Sequence, residues 1–174
     1  MANFNYKNKF TKWAAQLGLC LIASVGPVNA KSLKEINTED LRCLIQNGYF
    51  EARSDGYASV MGVTNVVLNR TYDPRYPNSI CEVVYQGPTD SKGNPLRHQC
   101  QFSWYCDGRS DRMVNEELID KVQIVVRETL ALWYNNIDIT EGATHYHAKY
   151  VNPTWAKTLN YTTQIGTHKY YRWN

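Results

Sequence analysis

Hydrophobic and polar positions alternate with a helical period over three long stretches of the chain. From Leu41, the apolar or small positions Leu44, Ile45, Gly48 and Ala52 recur on one face. Asn37 or Thr38 can cap a helix here, Glu39 and Asp40 suit its first turn, and the pattern runs through Arg53. Ser54-Asp55-Gly56 is a turn. Tyr57 to Tyr72 then carries Val60, Met61, Val63, Val66, Val67 and Leu68, which makes it apolar on most sides and predicts a central buried helix. Asp73-Pro74 and Tyr76-Pro77 end it, and Ser79 caps a short helix predicted over Ile80 to Gln86. Residues 87–99, rich in Gly, Pro, Asn and Asp, form a surface loop. Asn115 to Tyr134 is the clearest amphipathic helix, with Leu118, Val122, Val125, Val126, Thr129, Leu132 and Trp133 on one face.

After Gly142 the period changes. Thr144-His145-Tyr146-His147 and His168-Lys169-Tyr170-Tyr171-Arg172 read as strands of a small sheet, with Pro153-Thr154-Trp155-Ala156 in the connection. Helices first and strands afterwards predict an α+β domain rather than an alternating α/β one. The length of 174 residues suits one domain with a sizeable core.

The first thirty residues stand apart. Lys7, Lys9 and Lys12 precede a short apolar run, Trp13 to Val25, and Val28-Asn29-Ala30 fits a small-residue cleavage signal. This predicts a secretory signal peptide over residues 1–30 and a domain over 31–174, the alternative being an uncleaved anchor. The run is short for a bilayer span, so no stable membrane insertion is expected after cleavage. The formal net charge of +3 comes from those three lysines, and residues 31–174 hold equal numbers of basic and acidic side chains. A nucleic-acid-binding domain usually shows a basic excess, so nucleic acid is discounted as a partner.

Beyond Cys20 the chain holds Cys43, Cys81, Cys100 and Cys106. In an exported domain four cysteines suggest two disulfides, for which three pairings exist. Cys100 and Cys106 bracket a short aromatic loop that a local bridge closes easily, which leaves Cys43 for Cys81. A zinc site competes, but no Cys-x-x-Cys spacing is present.

Candidate chemistry centres on Glu51. At about 100° per residue it falls on the flank of the apolar stripe, near Leu44 and Gly48. Partial burial raises a carboxyl pKa, as a general acid near neutral pH requires. The competing reading is a helix-end glutamate paired with Arg53 or Arg70. Asp55, Asp73 and Asp107 are candidate second carboxylates, each also explained by a turn. His145 and His147 share a strand face, but a metal needs three or four convergent ligands, so no metal site is assigned. No Gly-x-Ser-x-Gly elbow and no phosphate-cradling glycine loop occurs.

Five segments in order then resemble the SleB-type cell-wall hydrolase family. They are Tyr49-Phe50-Glu51-Ala52-Arg53; Val66-Val67-Leu68-Asn69-Arg70; Arg75 to Gln86; Cys100-Gln101-Phe102-Ser103-Trp104-Tyr105-Cys106-Asp107-Gly108; and the C-terminal Ala143 to Ala148 with Trp155-Ala156 and Ile165 to His168. The resemblance spans roughly residues 40–173. It implies a lysozyme-like α+β domain that cleaves peptidoglycan glycan strands without a cofactor, in the periplasm or extracellular wall, under regulatory partners not identifiable from sequence. Glu51 matches the family's catalytic glutamate, and lytic transglycosylase chemistry needs only that one carboxylate; the alternatives are a water-using muramidase assisted by Asp55 or Asp107, and a non-catalytic cell-wall-binding protein. Phe102, Ser103 and Trp104 would line the sugar groove, with the alternative of a disulfide-braced core plug. Tyr146 would contact the acetyl-sugar, or else fill the core. Where the family has Gly-Glu and Gln, this chain has Ser54-Asp55 and Val60, which leaves the role of Asp55 open.

Overall fold

The computed structural model describes residues 36–174. The signal-peptide expectation for residues 1–30 lies outside them. Four α-helices are followed by a three-stranded sheet: α1 (Thr38–Ala52), α2 (Tyr57–Tyr72), α3 (Ile80–Val84), α4 (Glu116–Tyr134), β1 (His145–Ala148), β2 (Asn160–Ile165) and β3 (His168–Arg172). Single 3-10 turns cover Ser103–Cys106 and Thr154–Lys157.

Asparagine side chains cap both long amphipathic helices, Asn37 as one of the two residues expected for α1 and Asn115 where the helix itself was expected to begin. Asn37 Oδ1 accepts from the Asp40 amide at 2.8 Å, and Asn115 Oδ1 from the Leu118 amide at 3.0 Å. Ser79 precedes α3 without capping it; its hydroxyl donates instead to Glu82 at 2.7 Å. That helix ends at Val84, two residues short of the expected Gln86.

Helix α2 is buried on nearly every side, between α1, α4, α3 and the sheet. Two glycines set how closely its neighbours approach. A Cβ on Gly48 of α1 would meet Val122 of α4 and Val60 of α2 at 3.2 Å each. A Cβ on Gly62 of α2 would lie 2.3 Å from the Tyr170 hydroxyl, so only glycine lets β3 seat against the helix.

The sheet is antiparallel throughout, in the order β1-β3-β2. Tyr146 pairs with Tyr170, and Ala148 with His168. Alternation turns Tyr146, His168 and Tyr170 toward the helices, while His145, His147 and Tyr171 form an outer aromatic layer with Trp155. Strand β2 was not expected from the sequence. It is a polar edge strand, Asn-Tyr-Thr-Thr-Gln-Ile, whose register slips between Tyr161 and Gln164, and the slip removes the period-2 signal.

Disulfides join Cys43 to Cys81, tying α1 to α3, and Cys100 to Cys106, closing the aromatic loop. Among the described residues no helix is long and apolar enough to cross a membrane.

Candidate active site

Glu51 sits in the last turn of α1. The face that buries Leu44, Ile45 and Ala52 leaves it half-buried at the margin of the core. From the inner face of β1, Tyr146 reaches across and donates its hydroxyl to Glu51 Oε2 at 2.7 Å. Neither Arg53 nor Arg70 is within ion-pair distance among the described residues, so the helix-end ion pair gives way to a phenol–carboxyl hydrogen bond. Burial raises the Glu51 pKa, opposed by the Tyr146 hydrogen bond and the Arg70 charge. Burial and then the Glu51 charge push the Tyr146 phenol well above its ordinary value, so it remains a donor.

Glu51 opens onto a cleft of about 370 Å³, lined also by Phe50, Arg53, Ser103, Trp104, Asp107, Arg109, Ser110 and Asp111. Ser103 is exposed on its wall. Trp104 is only 6 % exposed. Its ring stacks on Phe50 with centroids 4.9 Å apart, and its Nε1 donates to the fully buried Asn47 at 3.0 Å. Trp104 is thus a core plug whose edge contributes to the cleft. Phe102 departs from the expected groove position: it is 1 % exposed, lies in the core, and carries the Arg70 guanidinium over its ring at 5.2 Å.

The candidate second acids separate. Asp55 is outside the cleft lining; it accepts from the Thr167 hydroxyl, and His168 Nδ1 lies 3.6 Å away, so it fastens the α1–α2 turn to the β2–β3 hairpin. Asp73 binds Arg75 at the rim of a different cavity. Asp107 does line the Glu51 cleft, together with Asp111, which sequence reasoning missed. Burial and then the charge of Asp107 raise the Asp111 pKa.

His145 and His147 share the outer face of β1 as expected, but they engage aromatic neighbours. His147 Nε2 meets the Tyr171 hydroxyl at 3.0 Å, and His145 Nε2 meets that of Tyr76 at 3.5 Å. Among the described residues, Glu39, Cys43 and Cys81 come within metal-binding reach of one another, but those two cysteines form a disulfide and offer no thiolate.

Arg70, one of the two candidate ion-pair partners of Glu51, instead bonds to the backbone. Its Nε donates to the Thr144 carbonyl at 2.8 Å, which joins α2 to the start of β1. The signal for its burial was the helical period itself, since Arg70 lies three and four positions after Val67 and Val66.

The profile of the family described as Cell Wall Hydrolase matches residues 54–171. The spore cortex-lytic enzyme of Bacillus subtilis (strain 168) is 36% identical over 110 residues, which is 63% of this chain and 30% of that protein. The chain therefore spans less than a third of that curated relative's length in the match. Two solved structures share the fold at 20% identity, each over 80% of this chain. The catalytic domain of the germination-specific lytic transglycosylase SleB from Bacillus anthracis is covered to 99%, with a TM-score of 0.60. That of the Bacillus cereus SleB protein is covered to 95%, with a TM-score of 0.56. The family match starts three residues after Glu51 and so does not itself cover that residue.

Proposed function

The chain belongs to the Cell Wall Hydrolase family, and from that premise we infer that it is a lytic transglycosylase, cleaving peptidoglycan glycan strands between N-acetylmuramic acid and N-acetylglucosamine. The observation that carries this reading is the half-buried Glu51 carboxyl, raised in pKa and held by Tyr146 at the wall of a polar cleft.

Glu51 enters the reaction as the neutral acid and gives its proton to the glycosidic oxygen as the C1–O bond breaks. The resulting carboxylate takes the proton of the muramic acid 6-hydroxyl, whose oxygen bonds to C1. The products are a free 4-hydroxyl on the departing sugar and a 1,6-anhydro ring, with no water consumed and Glu51 returned to its acid form. The Tyr146 hydroxyl fixes the orientation of the carboxyl through both steps, and the exposed Ser103 offers the substrate a hydroxyl from the lining of the same cleft.

A second reading has an observation of its own. Asp107 and Asp111 line the same cleft as Glu51, and a second carboxylate in the cleft is what a water-using muramidase requires. The two readings differ in their products. Either activity places the protein at peptidoglycan, in keeping with export to the periplasm or extracellular wall.

The test of the Glu51 assignment is clearance of a purified peptidoglycan suspension. The Glu51→Gln protein is expected to fold and to lose about 10²- to 10⁴-fold in rate, the usual contribution of a general acid. Clearance at the native rate would remove Glu51 from the mechanism.

A further inference from the structure

Helix α2 is apolar almost all round, yet Arg70 near its end is 5 % exposed. A buried guanidinium is expensive unless its charge is balanced and its N–H groups are bonded. Here Nε is bonded to the Thr144 carbonyl, but the buried Nη1 has no hydrogen-bond partner. No carboxylate lies within ion-pair distance of it among the described residues. The group is clamped between two rings, Tyr76 and Phe102, each 5.2 Å from its central carbon. The clamp and the Thr144 bond hold the charge at the base of β1, two residues before Tyr146, where its field acts on both Glu51 and the Tyr146 oxygen.

We propose that Arg70 is a positioning residue for the reaction: held by Tyr76, Phe102 and the Thr144 carbonyl, it provides the fixed positive charge that lets the buried Glu51 become a carboxylate mid-reaction, and it anchors the strand that presents Tyr146. The inference rests on reading Glu51 as the acid/base. In that role Glu51 must lose a proton inside a poorly solvated wall and regain it in the next step. Burial alone would make the acid too weak to donate. A salt bridge would hold it permanently ionised. A cation set back from the carboxyl avoids both extremes. An ion pair with Arg53 or Arg70, the competing reading of the sequence, would have been the second case.

Titratable and charged groups face this pair from each packed element. Glu51 comes from α1, Tyr76 from the segment after α2, His145 and Tyr146 from β1, and Tyr170 from β3, with Asp73 and Arg75 acting on His145. Because His145 also feels Arg70, a pH–activity curve alone would mix two titrations. The experiment is therefore a carbon-13 NMR titration of the Glu51 carboxyl, assigned by its loss in Glu51→Gln. It is run on the full chain for the native protein, Arg70→Lys and Arg70→Gln, beside a pH–rate profile for peptidoglycan clearance.

In Arg70→Gln the Glu51 titration is expected to move up by about one pH unit, with the alkaline limb of the rate profile following it. Arg70→Lys, which keeps the charge, should leave the titration near its native position. An unmoved titration in folded Arg70→Gln would overturn the proposal and leave Arg70 as a structural clamp. Should Arg70→Gln fail to fold, Arg70→Lys still decides, since an upward move there despite the retained charge would also overturn it. The NMR readout needs no turnover. A shifted titration in proteins that release no glycan fragments would support the Arg70–Glu51 coupling while contradicting the proposed function.

Discussion

At the level of single residues, the Glu51–Tyr146 pair makes two expectations. Tyr146→Phe removes a hydrogen bond that favours the ionised carboxyl, so the Glu51 pKa should rise further and the alkaline limb of activity should shift to higher pH. A pH–rate profile checks this. Glu51 also bears on stability. Its folded pKa is raised, so the folded state binds its proton more tightly, and stability is lost as pH rises through that pKa. Glu51→Gln should therefore melt at a higher temperature than the native protein at pH 7, with the gain vanishing in acid, as paired calorimetric scans would show. His145 has the opposite sign. Burial and the Arg70 and Arg75 charges depress its pKa from 6.5 to about 4. The stability of its neutral form is complete above pH 6.5 and lost as pH falls toward about 4. His145→Asn should flatten the decline in urea midpoint over that window. The half-buried position of Glu51 was legible in the sequence because a helical stripe has a definable flank. The burial of Phe102 and the Asn47 partner of Trp104 were not, because a short disulfide-closed loop has no period to read.

At the level of elements, α1, α2 and α4 were legible nearly to the residue: α1 and α4 each carry a long periodic face, and α2 is an apolar run bounded by the Ser54-Asp55-Gly56 turn and by Asp73-Pro74. Strand β2 escaped because an irregular edge strand has neither alternation nor bulk. The packing of α2 against β3 leaves its mark at Gly62, a residue that costs stability inside a helix. Its reason is Tyr170, whose buried hydroxyl occupies the missing Cβ position and has no hydrogen-bond partner. Gly62→Ala gains about 1 kcal/mol of helix propensity but forces the ring aside, and should destabilise by about 1–3 kcal/mol net in urea unfolding. Tyr170→Phe removes an unsatisfied buried hydroxyl and should be neutral or stabilising. Combined with Gly62→Ala it should recover part of the loss, because both changes act at one contact.

For the whole molecule, the two disulfides constrain the unfolded chain unequally. Cys43–Cys81 spans 38 positions and Cys100–Cys106 spans 6. Chain-entropy reasoning assigns the long loop about 4 kcal/mol and the short one about 2 kcal/mol. Replacing the first pair by alanine should lower the melting temperature more than replacing the second. The short bridge also braces Trp104 and the cleft wall, so its loss should weaken glycan cleavage out of proportion to stability. Helices and sheet meet where Glu51 and Tyr146 touch, and the central claim is that one carboxyl there serves as acid and then base. The most direct test is mass spectrometry of the soluble fragments released from purified peptidoglycan, with Glu51→Gln beside the native protein. Fragments ending in 1,6-anhydro-muramic acid, absent with the variant, are the expected result. Reducing muramic acid ends would contradict it and turn attention to Asp107 and Asp111 as the partner of an attacking water.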